Sequence, residues 1–250
     1  MTAFNPQDQA SSSVRAALEE HGTVPDIFIC SAGGTPPATL GFLADLDPEQ
    51  LKLCFESNYY SALFMAQRCL QLWIAEPKPD RTRHMVFIAS AAAFVAIPGY
   101  AAYTPSKTAL RALADTLRME LLLYGDEKMY RVHCAFPGTF LTDAFMAQGE
   151  AKPDLTKKME GSDYPTEELI KQTQPVEAIA NKILHGLNNG RFFITTDMKT
   201  DLILNNMRGP SPRDRSIYEL LMGFIAMFAW PVVRRRWDAM LTLHRFRKAD

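Results

Sequence analysis

The chain has 250 residues, 47% hydrophobic and 22% charged, which suits one α/β-sized core and excludes a disordered or collagen-like chain. A net charge of −1 excludes a chain-wide basic coat, so no nucleic acid is expected as a partner. Cys30, Cys54, Cys69 and Cys134 form no C-x-x-C pair and the five histidines form no H-E-x-x-H, so neither a disulfide framework nor a metal site is expected, and a reducing compartment is.

The first 13 residues lack the basic and apolar regions of a signal peptide. Residues 11–21 are expected to form a short helix, with serines available as caps and Gly22 just past its end. Residues 26–30 form a short apolar run ended by Ser31-Ala32-Gly33-Gly34, the pattern of a buried strand. Asp47 and Pro48 suit the cap and first position of a long helix reaching about residue 73, with Gln50 placed to complete a capping box. A charged connector, 76–83, leads to a strand over 84–89. A helix over 103–124 follows, then a strand over 130–136 closed by Pro137-Gly138. Beyond a polar stretch, residues 175–189 read as a helix and 191–195 as a strand. Strands alternating with long helices predict an α/β fold, a doubly wound parallel sheet with helices on both faces. Ligands of such sheets sit outside the carboxyl ends of the strands, here Ser31 to Gly33, Ser90, and Pro137 to Thr139.

Tyr103 and Lys107 stand four residues apart, on one face of a helix and about one turn from each other. A nearby ammonium favours the phenolate, so the spacing predicts a tyrosine pKa below its usual value of about 10 and a proton exchanged with a substrate oxygen near neutral pH. Chance supplies about a third of a Y-x-x-x-K in a chain with this many tyrosines and lysines, and a second copy, Tyr124 and Lys128, is present. Gly125 breaks that copy, which reads as a helix end beside a surface lysine. The first copy has company. Ser90 lies thirteen residues before Tyr103 at a strand end, where its hydroxyl can hydrogen-bond the carbonyl that the tyrosine protonates. Asn58 falls inside a helix, where asparagine is a poor former unless its amide is engaged. Singly, Ser90 reads equally as a turn residue and Asn58 as a satisfied core amide; together the four read as a catalytic set.

In order and spacing, Asn58, Ser90, Tyr103 and Lys107 resemble the Asn-Ser-Tyr-Lys tetrad of the short-chain dehydrogenase/reductases, over roughly residues 1–200. Ser31-Ala32-Gly33-Gly34 resembles the Asn-Ala-Gly turn after that family's fourth strand, with Ser31 replacing asparagine. Pro137-Gly138-Thr139 and Thr142 resemble its nicotinamide-contacting segment. The resemblance implies Tyr103 as general acid and Lys107 as the residue that lowers its pKa and holds the nicotinamide ribose. It makes Ser90 the carbonyl-orienting hydroxyl and Asn58 the support of a water-linked proton path. Cofactor contacts are then Ala32, Gly33, Asn58, Tyr103, Lys107, Pro137, Gly138, Thr139 and Thr142. Within the family, the Gly99-Tyr100-x-x-Tyr103-x-Pro105-Ser106-Lys107 string, Lys157-Lys158-Met159-Glu160-Gly161 and the Phe193 to Asp197 strand end are similar to fungal 3-ketodihydrosphingosine reductases. That likeness implies NADPH, a long-chain sphingoid ketone as substrate, a role in sphingolipid biosynthesis, and the cytoplasmic face of the endoplasmic reticulum membrane.

The family's fold opens with a strand and T-G-x-x-x-G-x-G, whose glycines bring a helix N-terminus to the cofactor phosphates. No such turn occurs in the 250 residues; Gly22 is the first glycine, and Gly33-Gly34 follows a different strand. The expectation is an N-terminally truncated Rossmann-like sheet that leaves residues 26–30 as an unpaired edge, an aggregation hazard. Two functions stay open: the NADPH-dependent reductase, or a catalytically impaired relative acting as a lipid- or partner-binding module.

Residues 208–250 carry nine Lys or Arg and four Asp or Glu, a net charge of about +5 against about −6 for 1–207. They also contain fourteen residues without a charge, 220–233, about 21 Å of helix against a hydrocarbon core of about 30 Å. Pro231 is expected to interrupt the run, and Trp230 with Arg234, Arg235 and Arg236 suits an interfacial membrane anchor. A core helix or a homodimer interface is the alternative. The division expected is 1–207 as the reductase domain and 208–250 as a membrane-interacting tail.

Overall fold

A computed structural model describes residues 6–76 and 79–247. The signal-peptide reading of residues 1–5, and residues 77–78 of the charged connector, lie outside the described residues. Four parallel strands, β1 (Ile27–Cys30), β2 (Arg83–Ile88), β3 (Tyr130–Phe136) and β4 (Phe193–Thr195), follow one another across the sheet in chain order. Register pairs Ile29 with Val86, Val86 with His133, and Cys134 with Phe193.

Alternation along the strands divides the sheet into two faces. Cys30, Met85, Phe87, Val132, Cys134, Phe136 and Phe193 point to one of them, where they form a core with α3 (Ser61–Ala75) and α4 (Tyr103–Leu121). The helices contribute Ala66, Cys69 and Trp73, then Leu110, Ala114, Leu117 and Leu121, spaced at three and four residues as a helical stripe requires. On the other face α8 (Val176–Asn188) closes over β4, so tightly that a Cβ at Gly186 would stand 2.7 Å from Ile194. That cover does not reach β1, whose Ile27 and Ile29 are exposed. Among the described residues β1 is an edge strand, as expected.

α1 (Pro6–His21) starts earlier than the serines suggested and packs on α3, so Ser12 and Ser13 lie inside the helix rather than capping it. Asp47 does cap α2 (Pro48–Phe55), its Oδ1 accepting from Glu49 N at 2.8 Å. α2 passes into α3 through a π-helical turn, Glu56–Tyr60. The polar stretch after β3 holds three short helices: α5 (Asp143–Ala151), α6 (Asp154–Glu160) and α7 (Thr166–Gln172). After β4 come α9 (Met198–Met207) and α10 (Ser216–Arg247). α10 is one 32-residue helix with Pro231 inside it, so the proline does not end the helix where a break was expected. The apolar run 220–233 is only its first half.

Candidate active site

The carboxyl ends of β1, β2 and β3 converge on the start of α4. Leaving β1, the chain passes Ser31, Ala32 and Gly33, all exposed, and turns back onto the π-helical segment. Gly33 has φ +117°, and a Cβ there would lie 2.5 Å from Asn58 Oδ1, so both conformation and space demand glycine. Asn58 is fully buried. Its Nδ2 donates to Gly34 O at 2.7 Å and Cys54 O at 2.9 Å, and its Oδ1 accepts from Gly34 N at 2.9 Å. The amide thus clamps the β1 turn to the helix, and a wide turn at such a site is typical of π insertions.

Ser90 follows β2 in an extended conformation, and its Oγ accepts from Ala92 N at 3.1 Å. That bond uses one lone pair and leaves the O–H to donate. Tyr103 opens α4 half-buried. Lys107, one turn on, is buried, and its Nζ donates to Ile88 O at 3.1 Å while lying 5.7 Å from the Tyr103 ring centre. Ser90, Tyr103 and Lys107 are therefore brought together. The second copy is not: α4 ends at Leu121, and Tyr124 sits exposed in the following turn.

Titration of the pair departs from expectation. Burial pushes Tyr103 up to about 12, opposed by its hydrogen bond with Ser90 and reinforced by Cys54 and Glu160. Burial also lowers Lys107 to about 8. A desolvated ammonium engaged on a carbonyl does not depress this phenol. The result is a phenol that holds its proton at neutral pH, the state an acid must be in to donate one.

The third strand end supplies Pro137, whose carbonyl accepts from Ala91 N at 2.9 Å, and Gly138, whose N–H donates to Thr196 Oγ1 at 3.2 Å. A Cβ at Gly138 would meet Asp197 Oδ2 at 2.4 Å. Thr139 is exposed, and Thr142 caps α5 by accepting from Phe145 N at 3.1 Å. That hydroxyl already has one partner of its own.

Glu160 lies outside the tetrad, yet it bridges the site to the helices after β3. Its carboxylate accepts from Tyr100 OH and, at 2.9 Å, from buried Lys152 Nζ. Thr156 Oγ1 donates to Pro98 O at 2.8 Å, and Gly99, at φ +97°, lies too close to Thr156 for any Cβ. The Tyr100 ring packs 5.7 Å from that of Tyr103. α6 is thereby latched to the segment that leads into α4. A cleft of about 450 Å³ opens beyond the latch between α5, α6 and α7, with Phe145, Met146, Lys152 and Tyr164 in its wall. Only a co-occurrence of Lys152, Glu160 and Tyr100 in sequence could have hinted at this, and no fixed spacing marks it.

The sequence model for short chain dehydrogenases matches residues 2–153. The chain belongs to the short-chain dehydrogenase family. A PIGF/3-ketodihydrosphingosine reductase fusion protein of Schizosaccharomyces pombe is 30% identical over 247 residues, covering 98% of this chain and 47% of the relative. A 3-ketodihydrosphingosine reductase of Neurospora crassa is 31% identical, over 96% of this chain and 68% of the relative. One of Yarrowia lipolytica is 30% identical, over 92% and 57%. The chain thus spans about half to two thirds of these relatives' lengths. Among solved structures, a short-chain dehydrogenase from Streptomyces avermitilis superposes with a TM-score of 0.60 at 19% identity, over 93% of this chain and 78% of that one. One from Burkholderia cenocepacia in complex with NADP gives 0.59 at 18%, over 88% and 76%. These two likenesses establish the dehydrogenase fold.

Proposed function

We propose that this short-chain dehydrogenase chain carries the proton-transfer half of an NADPH-dependent reductase acting on a long-chain sphingoid ketone, 3-ketodihydrosphingosine, to give dihydrosphingosine. The observation that carries the reading is the identity of about 30% to reductases of that name along nearly the whole chain. The nicotinamide end of the site fits the group: Lys107 and Tyr103 share a face, and Gly33 and Gly138 keep two strand ends clear of side chains. For the phosphates the fit is incomplete, because none of the 250 residues forms T-G-x-x-x-G-x-G. When bound, the nicotinamide supplies the hydride. Tyr103 donates its phenolic proton to the ketone oxygen, Ser90 O–H orients that oxygen, and Lys107 would hold the ribose. Asn58 fixes the turn that frames them, in addition to the proton-path role its family counterparts imply.

We place the reductase domain at 1–207 and a membrane-facing tail at 208–250 that packs back on it through Tyr218 OH on Asp201 and Ser211 Oγ on Asp115. The cytoplasmic face of the endoplasmic reticulum is the location this substrate calls for. The missing glycine turn favours a second reading, an impaired relative that binds lipid or a partner without turnover. Titrating NADPH into the purified chain while following tryptophan fluorescence separates the two. Saturation below millimolar cofactor supports the reductase; no saturable change removes it for this chain.

A further inference from the structure

α10 carries two stripes on opposite sides. Glu219, Ala226, Trp230, Val233, Trp237 and His244 are buried or half-buried and, at 100° per residue, lie along one line of the helix. Ile217, Leu221, Phe224, Phe228 and Val232 lie along the opposite line and are exposed, Phe224 at 60% and Phe228 at 62%. Arg235, also exposed, continues that outer line with Arg236 on its flank, while Arg234 turns toward the inner side and pairs with Asp238 at 3.2 Å.

The inner stripe is fastened at both ends. Near the start, Glu219 Oε1 accepts from buried Arg208 at 3.0 Å, and Gly223 lets α10 cross α9 so closely that a Cβ would stand 3.0 Å from Asn205 O. Near the end, the His244 ring packs edge-on against Phe42, 6.5 Å between centres, in the loop after β1. Between them α10 touches α6. Glu219 and His244 are about 37 Å apart along the axis, more than the roughly 30 Å of a hydrocarbon core. A helix crossing a bilayer would have to release one of these attachments, because both belong to the same folded body.

We propose that α10 is a strap lying flat on an anionic lipid surface, its outer stripe sunk among the acyl chains and Arg235 and Arg236 at the headgroups, with both ends on the same side. The proposal deepens the lipid-ketone reading and rests on it for the choice of a membrane. The occupant is lipid rather than a second copy because of the charge pattern. An antiparallel pair through this stripe would set Arg235 against the partner's apolar half, and a parallel pair would set arginine on arginine; either leaves a buried cation uncompensated. Anionic headgroups accept Arg235 and Arg236.

The full chain is mixed with phosphatidylcholine vesicles, with and without phosphatidylserine, and floated on a density gradient. It should float with both and bind more tightly to the anionic ones. Phe224→Asp with Phe228→Asp should abolish flotation, while Arg235→Gln with Arg236→Gln should lower partitioning roughly 25-fold on anionic vesicles only. Orientation is read in Ser216→Cys and Leu243→Cys, since the four native thiols are buried. A membrane-impermeant maleimide should label both sites from outside intact vesicles. Protection of one means that the helix spans, and the proposal falls. A chain that stays unbound, or forms dimers that the double Asp change separates, assigns the stripe to protein and also overturns it. Those results leave the reductase reading intact; flotation without NADPH binding breaks the reductase reading alone.

Discussion

α4 and α10 are the two longest helices outside the α2–α3 pair, and their apolar residues face opposite surroundings. α4 turns Leu110, Ala114, Leu117 and Leu121 into the core beneath the sheet, and its first turn delivers Tyr103 and Lys107 to the strand ends. α10 is longer and more apolar, yet Ala226 is its one buried hydrophobic residue among those described, while Phe224, Phe228 and Val232 point outward. An apolar stripe therefore states that a face avoids water without stating what the face meets. Only the polar anchors, Lys107 on Ile88 O in one helix and Glu219 on Arg208 in the other, tell which side belongs to the protein.

Four measurements sharpen or break that contrast. The largest effect is expected in α4's first turn: in any form of the chain that turns over, Tyr103→Phe should cut turnover by about 10² to 10⁴-fold, and Tyr124→Phe should change it little. Equal losses would mean that the wrong Y-x-x-x-K had been chosen. Next, Leu110→Ala should cost about 2 to 5 kcal/mol by urea denaturation, because Leu110 is almost wholly buried among α4's core partners.

The third test uses pH. His133 is fully buried on the sheet face opposite α4, its Nε2 2.9 Å from His84 Nδ1 and its Nδ1 2.6 Å from Arg191 O. Burial, opposed by the Arg191 carbonyl and aided by His84 and Arg131, lowers it to about 4. A depressed histidine contributes stability that is present above its unfolded value of about 6.5 and lost as pH falls toward about 4, on the order of 3 kcal/mol in all. Urea midpoints at pH 7 and 5 should fall accordingly; an unchanged midpoint would show that the imidazole pair accepts a proton in the folded state. The smallest effect belongs to α10: Phe224→Ala in the absence of lipid should move stability by under about 0.5 kcal/mol. A core-sized loss would place that face against protein.

Strand and helix positions were legible wherever the period was clean, as in β3, which runs over the expected 130–136. The site's turns were legible too, since Gly33, Ser90 and Pro137 punctuate apolar runs. The membership of Tyr103 and Lys107 in one site could be read from spacing, but their protonation could not. Spacing gives distance between groups and says nothing of desolvation, which here outweighs the ammonium. Nor did the sequence reveal α5 to α7, short and polar helices whose order comes from the Glu160 latch, a contact between residues 60 apart. Pro231 misled because a long helix held by its flanks tolerates a proline that an isolated one would not.

The π-helical turn at Glu56–Tyr60 also keeps phase. Buried Cys54, Asn58 and Ala62 follow at intervals of four. In a regular α-helix each such step advances about 40° past a full turn, so the three would fan out. The wider turn absorbs that drift and lets thiol, amide and methyl share one line toward the core. Deleting one residue within 56–60 would restore an ordinary helix locally. Because the wider turn takes up one extra residue, Ala66, Cys69 and Trp73 would keep their face, and the loss would fall on the clamp that Asn58 holds on Gly34. The expected sign is a lower urea midpoint, with the transition still cooperative, from a single-residue deletion that shortens the helix by about 1.5 Å.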